Sequence, residues 1–231
     1  VNVSQGRVMW AGAIPNGVTA VIRFRVRVLC NSLMALTDAQ YPTHIVNRAT
    51  GNIGPIPFAA NASTPLLKPD LTVTGIEVTQ VIQNLPNAAP LIQNKLTYAR
   101  VYIRAAWPND RATCDVPRVT AKLEGPWGGE LEPLNPRTID AQVLVGQDRP
   151  TLGERDDLKQ SLLFLLPADW RTGAYRLRAE VNPDKDRPDG NVQNNRAGVD
   201  LQFRSTDKVY LVFHPIRYRF DGVDATGLVD L

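Results

Sequence analysis

Arginine and apolar residues alternate with a period of two in Val21–Val28, and that rhythm restricts the chain to extended structure. Ile22, Phe24, Val26 and Val28 fall on one side of such a stretch, and Arg23, Arg25 and Arg27 on the other. Period two with β-branched and aromatic residues marks a strand with one buried and one solvated face. The pattern recurs in Ala99–Arg104 and Tyr175–Val181. Each places arginine on the expected solvent side, where charge also discourages edge-to-edge aggregation. Further strands are expected at Arg7–Ala11, His44–Ala49, Leu71–Gln83, Val119–Glu124, Ser161–Leu166, Val199–Phe203 and Val209–Phe213. Between them stand turn signals such as Pro15-Asn16-Gly17, Gly125-Pro126-Trp127-Gly128-Gly129 and Pro188-Asp189-Gly190-Asn191. With 18 Pro and 16 Gly there is little room for long helices, and the best helical window, Leu152–Leu158, is short. Strands without intervening helical patterns predict an all-β chain of β-sandwich architecture.

Length and charge narrow the classes further. The chain has 231 residues, 26 Lys+Arg against 23 Asp+Glu, and a net charge of +3. That excludes a disordered polyelectrolyte, and no window approaches the ~18 uninterrupted apolar residues of a membrane helix. No basic-then-apolar secretory signal opens the sequence, and Val1 in place of Met is what a processed or excised chain presents. A pI near 9.0 would suit a polyanion partner, but the alternating strands already account for the arginines. Neither nucleic-acid binding nor membrane insertion is expected. Cys30 and Cys114 lie too far apart for a Cys-rich zinc site or a redox motif. Two readings remain for them, buried free thiols, which we prefer, or one long-range disulfide.

The small, polar run Asn61-Ala62-Ser63-Thr64-Pro65, followed by Lys68-Pro69-Asp70, reads as a linker. It divides the chain into residues 1–64, 65–206 and 207–231. The first part supplies only four or five strands where a sandwich usually needs about seven, so it reads as a partial module. A new apolar run at Tyr210–Phe213 opens the last part, and Asp221–Leu231 trails off without an obvious partner.

From Pro69 on, particular runs carry a resemblance. Pro69–Gln80, then Leu91–Ile103, then Glu180-Val181-Asn182-Pro183-Asp184 with Asn191-Val192-Gln193-Asn194-Asn195 resemble the opening strand, second segment and signature hairpin of CARDB-type modules. These are bacterial cell-adhesion-related domains, and the resemblance implies an immunoglobulin-like sandwich over about residues 66–205. Asn and Asp at such turns cap the backbone locally and tolerate left-handed conformations. The loops Trp107–Pro117 and Gly125–Arg155 are longer than the compact form of the family. Gly6–Gly12, Pro15-Asn16-Gly17, Val21–Val28 and Ile45–Ala49 resemble the back half of a repeat of large bacterial surface proteins. The whole then reads as tandem immunoglobulin-like sandwiches, the first incomplete. A similar module also precedes zinc-peptidase domains in some secreted proteins.

Catalytic chemistry finds no foothold in the sequence. A zinc peptidase needs paired histidines, whereas His44 and His214 stand alone. His44 begins a strand and reads as structural. There is no Gly-x-Ser-x-Gly elbow and no phosphate loop. No enzyme activity and no cofactor are expected. Asp184, Asp186, Asp189 and Asn191 offer a calcium-loop reading, but Pro188 stands where the third ligand should be and no closing Glu follows. A solvated turn is the better account. Glu154-Arg155-Asp156-Asp157 reads as a cap or loop decoration. Trp107 and Trp127, in loops, would anchor a partner or stack on a sugar, or else fold back over a sandwich end. Trp10 and Trp170 read as core.

The expectation is a non-catalytic structural or adhesion module of a larger exported bacterial protein, extracellular or at the cell surface. Its partners would be other protein domains, copies of itself or a cell-surface glycan, and an unfilled edge would invite β-strand addition. Two other readings stand: an accessory region of a secreted zinc peptidase whose catalytic domain lies outside this chain, or a glycan- or polyanion-binding module using Arg23, Arg25, Arg27 and the loop tryptophans.

Overall fold

Leu71 and Val73 turn toward the core, and so do Ile76 and Val78, which no unbroken period of two allows. A β-bulge reconciles them. In the computed structural model, strand β5 (Asp70–Thr79) pairs antiparallel with β7 (Tyr98–Ala106), and the register slips between Val73 and Gly75. The extra residue reverses the side-chain phase, so Glu77 lies on the outer face directly opposite Arg100. The structure describes residues 2–4, 7–21, 23, 29–108, 114–134, 136–143, 150–207, 217–220 and 223–226.

Other strands in chain order are β1 (Asn2–Ser4), β2 (Arg7–Met9), β3 (His44–Ile53), β4 (Ile56–Pro65), β6 (Leu91–Ile92), β8 (Val116–Val119), β9 (Ala121–Glu124) and β10 (Glu130–Leu131). They continue with β11 (Ile139–Val143), β12 (Leu162–Leu165), β13 (Ala174–Val181), β14 (Arg196–Arg204), β15 (Arg217–Phe220) and β16 (Val223–Thr226). One five-stranded sheet runs β10-β9-β13-β14-β6, with β6 parallel to β14. In the other, β7 is central. It pairs with β5 along one side and shares its other side between β12 and β11, with β8 beyond β11. Inward residues of both sheets interdigitate: Val101, Ile103, Leu162 and Phe164 from one, Leu123, Leu177, Val181, Leu201 and Phe203 from the other. Each such aliphatic or aromatic side chain is worth about 1.5–3 kcal/mol on burial. The chain is an all-β sandwich, as its alternation predicts.

Compact units part between Cys30 and Asn31, whereas the sequence suggested residue 65. In Val1–Cys30, β1 pairs with β2, and Trp10 packs over Gly12. Trp10 is 41% exposed, not core; with no Cβ on Gly12, the indole lies on backbone at the surface. Asn31–Leu231 includes the sandwich because Met34 and Tyr41 are buried in its core, and the Tyr41 hydroxyl donates to the Leu67 carbonyl at 2.9 Å. Asn61–Pro65 is not a linker but part of β4, paired rung by rung with β3. Their two-residue connection opens on Gly54 at φ 59° and continues with Pro55, as a type II′ hairpin turn requires. After the short α1 (Cys30–Met34), the Leu152–Leu158 window forms α2 (Leu152–Asp156), which starts on a Thr151–Glu154 capping box. Part of the trailing end, Val223–Thr226, pairs with Arg217–Phe220. Val209–Phe213 and most of Val21–Val28 lie outside the described residues.

Candidate functional site

The Asn/Asp-rich turn after β13 is organised by its own side chains. Asn182, at φ 52°, donates from Nδ2 to the Arg187 carbonyl at 2.9 Å and accepts the Arg187 N–H at 3.1 Å. Asn195 Nδ2 donates to the Val181 carbonyl at 3.1 Å, and Arg187 Nε to the Pro117 carbonyl at 2.7 Å. Asp189 Oδ1 accepts from the Leu71 N–H at 3.3 Å and the Asn191 N–H at 3.1 Å. The turn is fastened to earlier chain through Asp38, whose Oδ1 accepts from the Asp189 N–H at 3.0 Å and from Lys68 Nζ at 2.5 Å. Burial pushes the Asp38 carboxyl up, but the Lys68 and Asp189 hydrogen bonds outweigh it and hold it below the usual carboxylate range. Asn194 Nδ2 donates to Asp70 Oδ2 at 3.0 Å. Of the four calcium-loop residues, Asp184, Asp186 and Asn191 are exposed and Asp189 alone is buried. Asp189 meets the start of β5 rather than Asp184 and Asp186.

A second polar cluster lies on the outer face of β7, where the expected solvent exposure of Arg100 and Arg104 is overturned. They are 9% and 5% exposed, because the segment around α2 covers them. Arg100 donates from Nε to Ser161 Oγ at 3.0 Å and from Nη1 to the Arg155 carbonyl at 2.6 Å. Arg104 pairs with Glu154 at 2.8 Å, and Arg155 with Glu77 at 2.7 Å. The Tyr102 hydroxyl donates to Glu77 Oε2 at 2.9 Å. Burial raises the Glu77 pKa, yet hydrogen bonds from Arg155 and Tyr102 with the nearby arginine charges leave it below the ordinary value. Burial, and then the bond to Glu77, push the Tyr102 phenol well up. Glu154 thus caps α2, one of the two readings of this run, and Glu154 and Arg155 also clamp α2 onto the sheet. The signal that could have revealed this is the phase break at Thr74-Gly75, which turns Glu77 outward toward Arg100.

The remaining candidates scatter. Trp107 folds back against the core and donates its Nε1–H to the Cys114 carbonyl at 3.2 Å. Trp127 is 82% exposed and left-handed at φ 57°. Its loop wraps the buried Trp170 so closely that a Cβ on Gly125 or Gly129 would meet the indole at 2.2 or 2.6 Å. Arg23 is exposed, and Arg25 and Arg27 lie outside the described residues. On the β13–β14 face, Arg176 pairs with Asp200 and Arg196 with Glu180. His44 Nδ1 lies 3.0 Å from Thr43 Oγ1 at the exposed start of β3; His214 falls outside the described residues. The preference for free thiols is corrected: Cys30 and Cys114 are both disulfide-bonded.

The β3–β4 ribbon is amphipathic and buries none of its own residues. Opposed pairs place Ile53, Gly51, Ala49, Asn47 and Ile45 with Ile56, Phe58, Ala60, Ala62 and Thr64 on one face, the more apolar of the two. The other face carries His44, Arg48, Thr50, Asn52, Asn61 and Ser63 together with Val46, Pro57, Ala59 and Pro65. Ile53 is 73% exposed, Ile56 67% and Phe58 47%. Among the described residues, neither strand pairs with a third.

Fold and surface define an all-β sandwich carrying an exposed two-stranded ribbon. Compared with protein-family models, curated proteins and solved structures, the chain finds no match. Among the described residues, no three or more His, Cys, Asp and Glu side chains are grouped to hold a metal, and no helix is long and apolar enough to cross a membrane.

Proposed function

We propose that this chain is a non-catalytic structural module of a larger exported bacterial protein, assembling with copies of itself or with neighbouring modules by β-strand addition. The exposed β3–β4 ribbon carries the reading. Ten residues per strand, an apolar face and unpaired outer edges are what a further strand docks against. A disulfide suits an oxidising compartment, and the tandem immunoglobulin-like and CARDB-type likeness suits a multidomain surface protein. Sedimentation of the full chain across a concentration series tests it. Wild type is expected to self-associate, Phe58→Lys on the apolar face to remain monomeric, and Asn61→Lys on the polar face to behave as wild type. A chain that stays monomeric throughout, or one indifferent to Phe58→Lys, would remove the ribbon as the assembly surface.

The exposed indole of Trp127 favours a second reading, stacking on a sugar ring. Quenching or shift of its fluorescence by oligosaccharide, lost in Trp127→Ala, would support it.

A further inference from the structure

Three oxygens at the start of β5 are shut away from water without a hydrogen-bond partner: Asp70 Oδ1, Asp189 Oδ2 and Asn194 Oδ1. Each belongs to a group whose other polar atom is engaged. Asp70 uses Oδ2 to accept from Asn194, Asn194 uses Nδ2 for that bond, and Asp189 uses Oδ1 for the Leu71 and Asn191 N–H groups. The Asn194 amide cannot be turned round without setting its oxygen against the Asp70 carboxylate. Asp189 is 5% exposed, and a buried carboxylate oxygen with nothing opposite it is costly. Burial pushes the Asp70 carboxyl above its usual range; the Asn194 hydrogen bond opposes this, and the charge of Asp189 adds to it. Two acidic groups thus lie close enough for the charge of one to act on the other, each with one buried oxygen left without a partner.

We propose that Asp70, Asp189 and Asn194 form a calcium site joining the start of β5 to the turn that precedes β14. A cation there would give all three oxygens a partner and cancel the repulsion between the carboxylates. The donors are all hard oxygens, two carboxylates and one amide carbonyl, which suit calcium or magnesium and not zinc or copper. Calcium is favoured because it accepts irregular sets of protein oxygens, whereas magnesium demands near-octahedral geometry and keeps its water. Carbonyls or water would complete the shell. Of the calcium-loop residues Asp184, Asp186, Asp189 and Asn191, this site shares only the buried Asp189, and it does not depend on the assembly reading. Since Asp38 accepts from the Asp189 N–H, the bound ion would also steady the segment that leads into the ribbon.

The test is a calcium titration of the full chain, first stripped with chelator, followed by calorimetry and thermal melting. One ion per chain is expected, with a saturable rise in melting temperature of roughly 5–10 °C at calcium a hundredfold above the dissociation constant. Asp70→Asn should abolish the response while leaving the Asp189 backbone contacts in place. Asp186→Asn should leave the response unchanged. Asp189→Asn is the second ligand variant, and Asp70→Asn decides if it fails to fold. An unresponsive wild type or a response that survives Asp70→Asn would each overturn the site.

Discussion

Strand β7 is covered on both faces, whereas β3 and β4, each ten residues long, bury none of their residues. Both regions show apolar residues on one side and polar ones on the other, so the pattern alone does not decide burial. What differs is the company. The inner face of β7 meets the opposite sheet, and its outer arginines meet α2 and Glu77. Among the described residues the ribbon has its own two strands and no third, and an isolated hairpin is marginally stable in water. The polar half of a strand is buried when charge partners come from elsewhere in the chain, and an apolar half stays open when no second layer arrives.

Several substitutions would break or sharpen that contrast. Phe164→Ala, in the sandwich, should cost about 3–5 kcal/mol in chemical denaturation, while Phe58→Ala in the ribbon should fall within about 0.5 kcal/mol. Equal losses would mean the ribbon is packed in solution. Glu77→Ala should cost about 3 kcal/mol, the low end for losing half a buried ion pair, because Arg155 keeps some contact with water. Its pH signature has a definite sign. The folded-state pKa of Glu77 lies below the ordinary glutamate value, so its contribution is complete above that value and fades as pH falls through the folded pKa. Wild type should therefore lose more stability on acidification than Glu77→Ala, and parallel curves would contradict the clamp. A smaller loss than at Glu77 is expected from Gly54→Ala, at φ 59°, about 1 kcal/mol of left-handed strain. It should speed amide exchange in β3 and β4 and leave β13 and β14 unchanged; faster exchange in both would show the two regions unfold together.

Alternation made the sandwich strands legible, from Tyr175–Val181 to Ser161–Leu166, and the Asn-rich turn announced itself because those side chains act locally. Trp170 likewise proved buried. Arg100 and Arg104 misled because periodicity tells which side a residue faces, not what will cover it. Asn61–Pro65 read as a linker since its small residues lack the β-branched signature of a strand, although pairing with β3 supplies the missing preference. That the cysteines are disulfide-bonded was only one of two readings, because separation along the chain carries no information on Cβ geometry. Asp189 was marked as a candidate and Asn194 lies only five residues on in the same turn, but Asp70, like Asp38, comes from a distant part of the chain and meets them only through the fold.

The parallel pairing of β6 with β14 sets residue 91 beside residue 203, and the Leu71 N–H reaches its acceptor only at Asp189. Closing such distant pairs carries the entropy of a long loop before any contact rewards it. A chain emerging from the ribosome or an export channel can form the Gly54 hairpin at once, because its rungs are local. It cannot complete the first sheet until β14 has emerged. Throughout that interval the inner face of β7 is uncovered, so the order of synthesis places the aggregation-prone stage of this chain before its last sandwich strand.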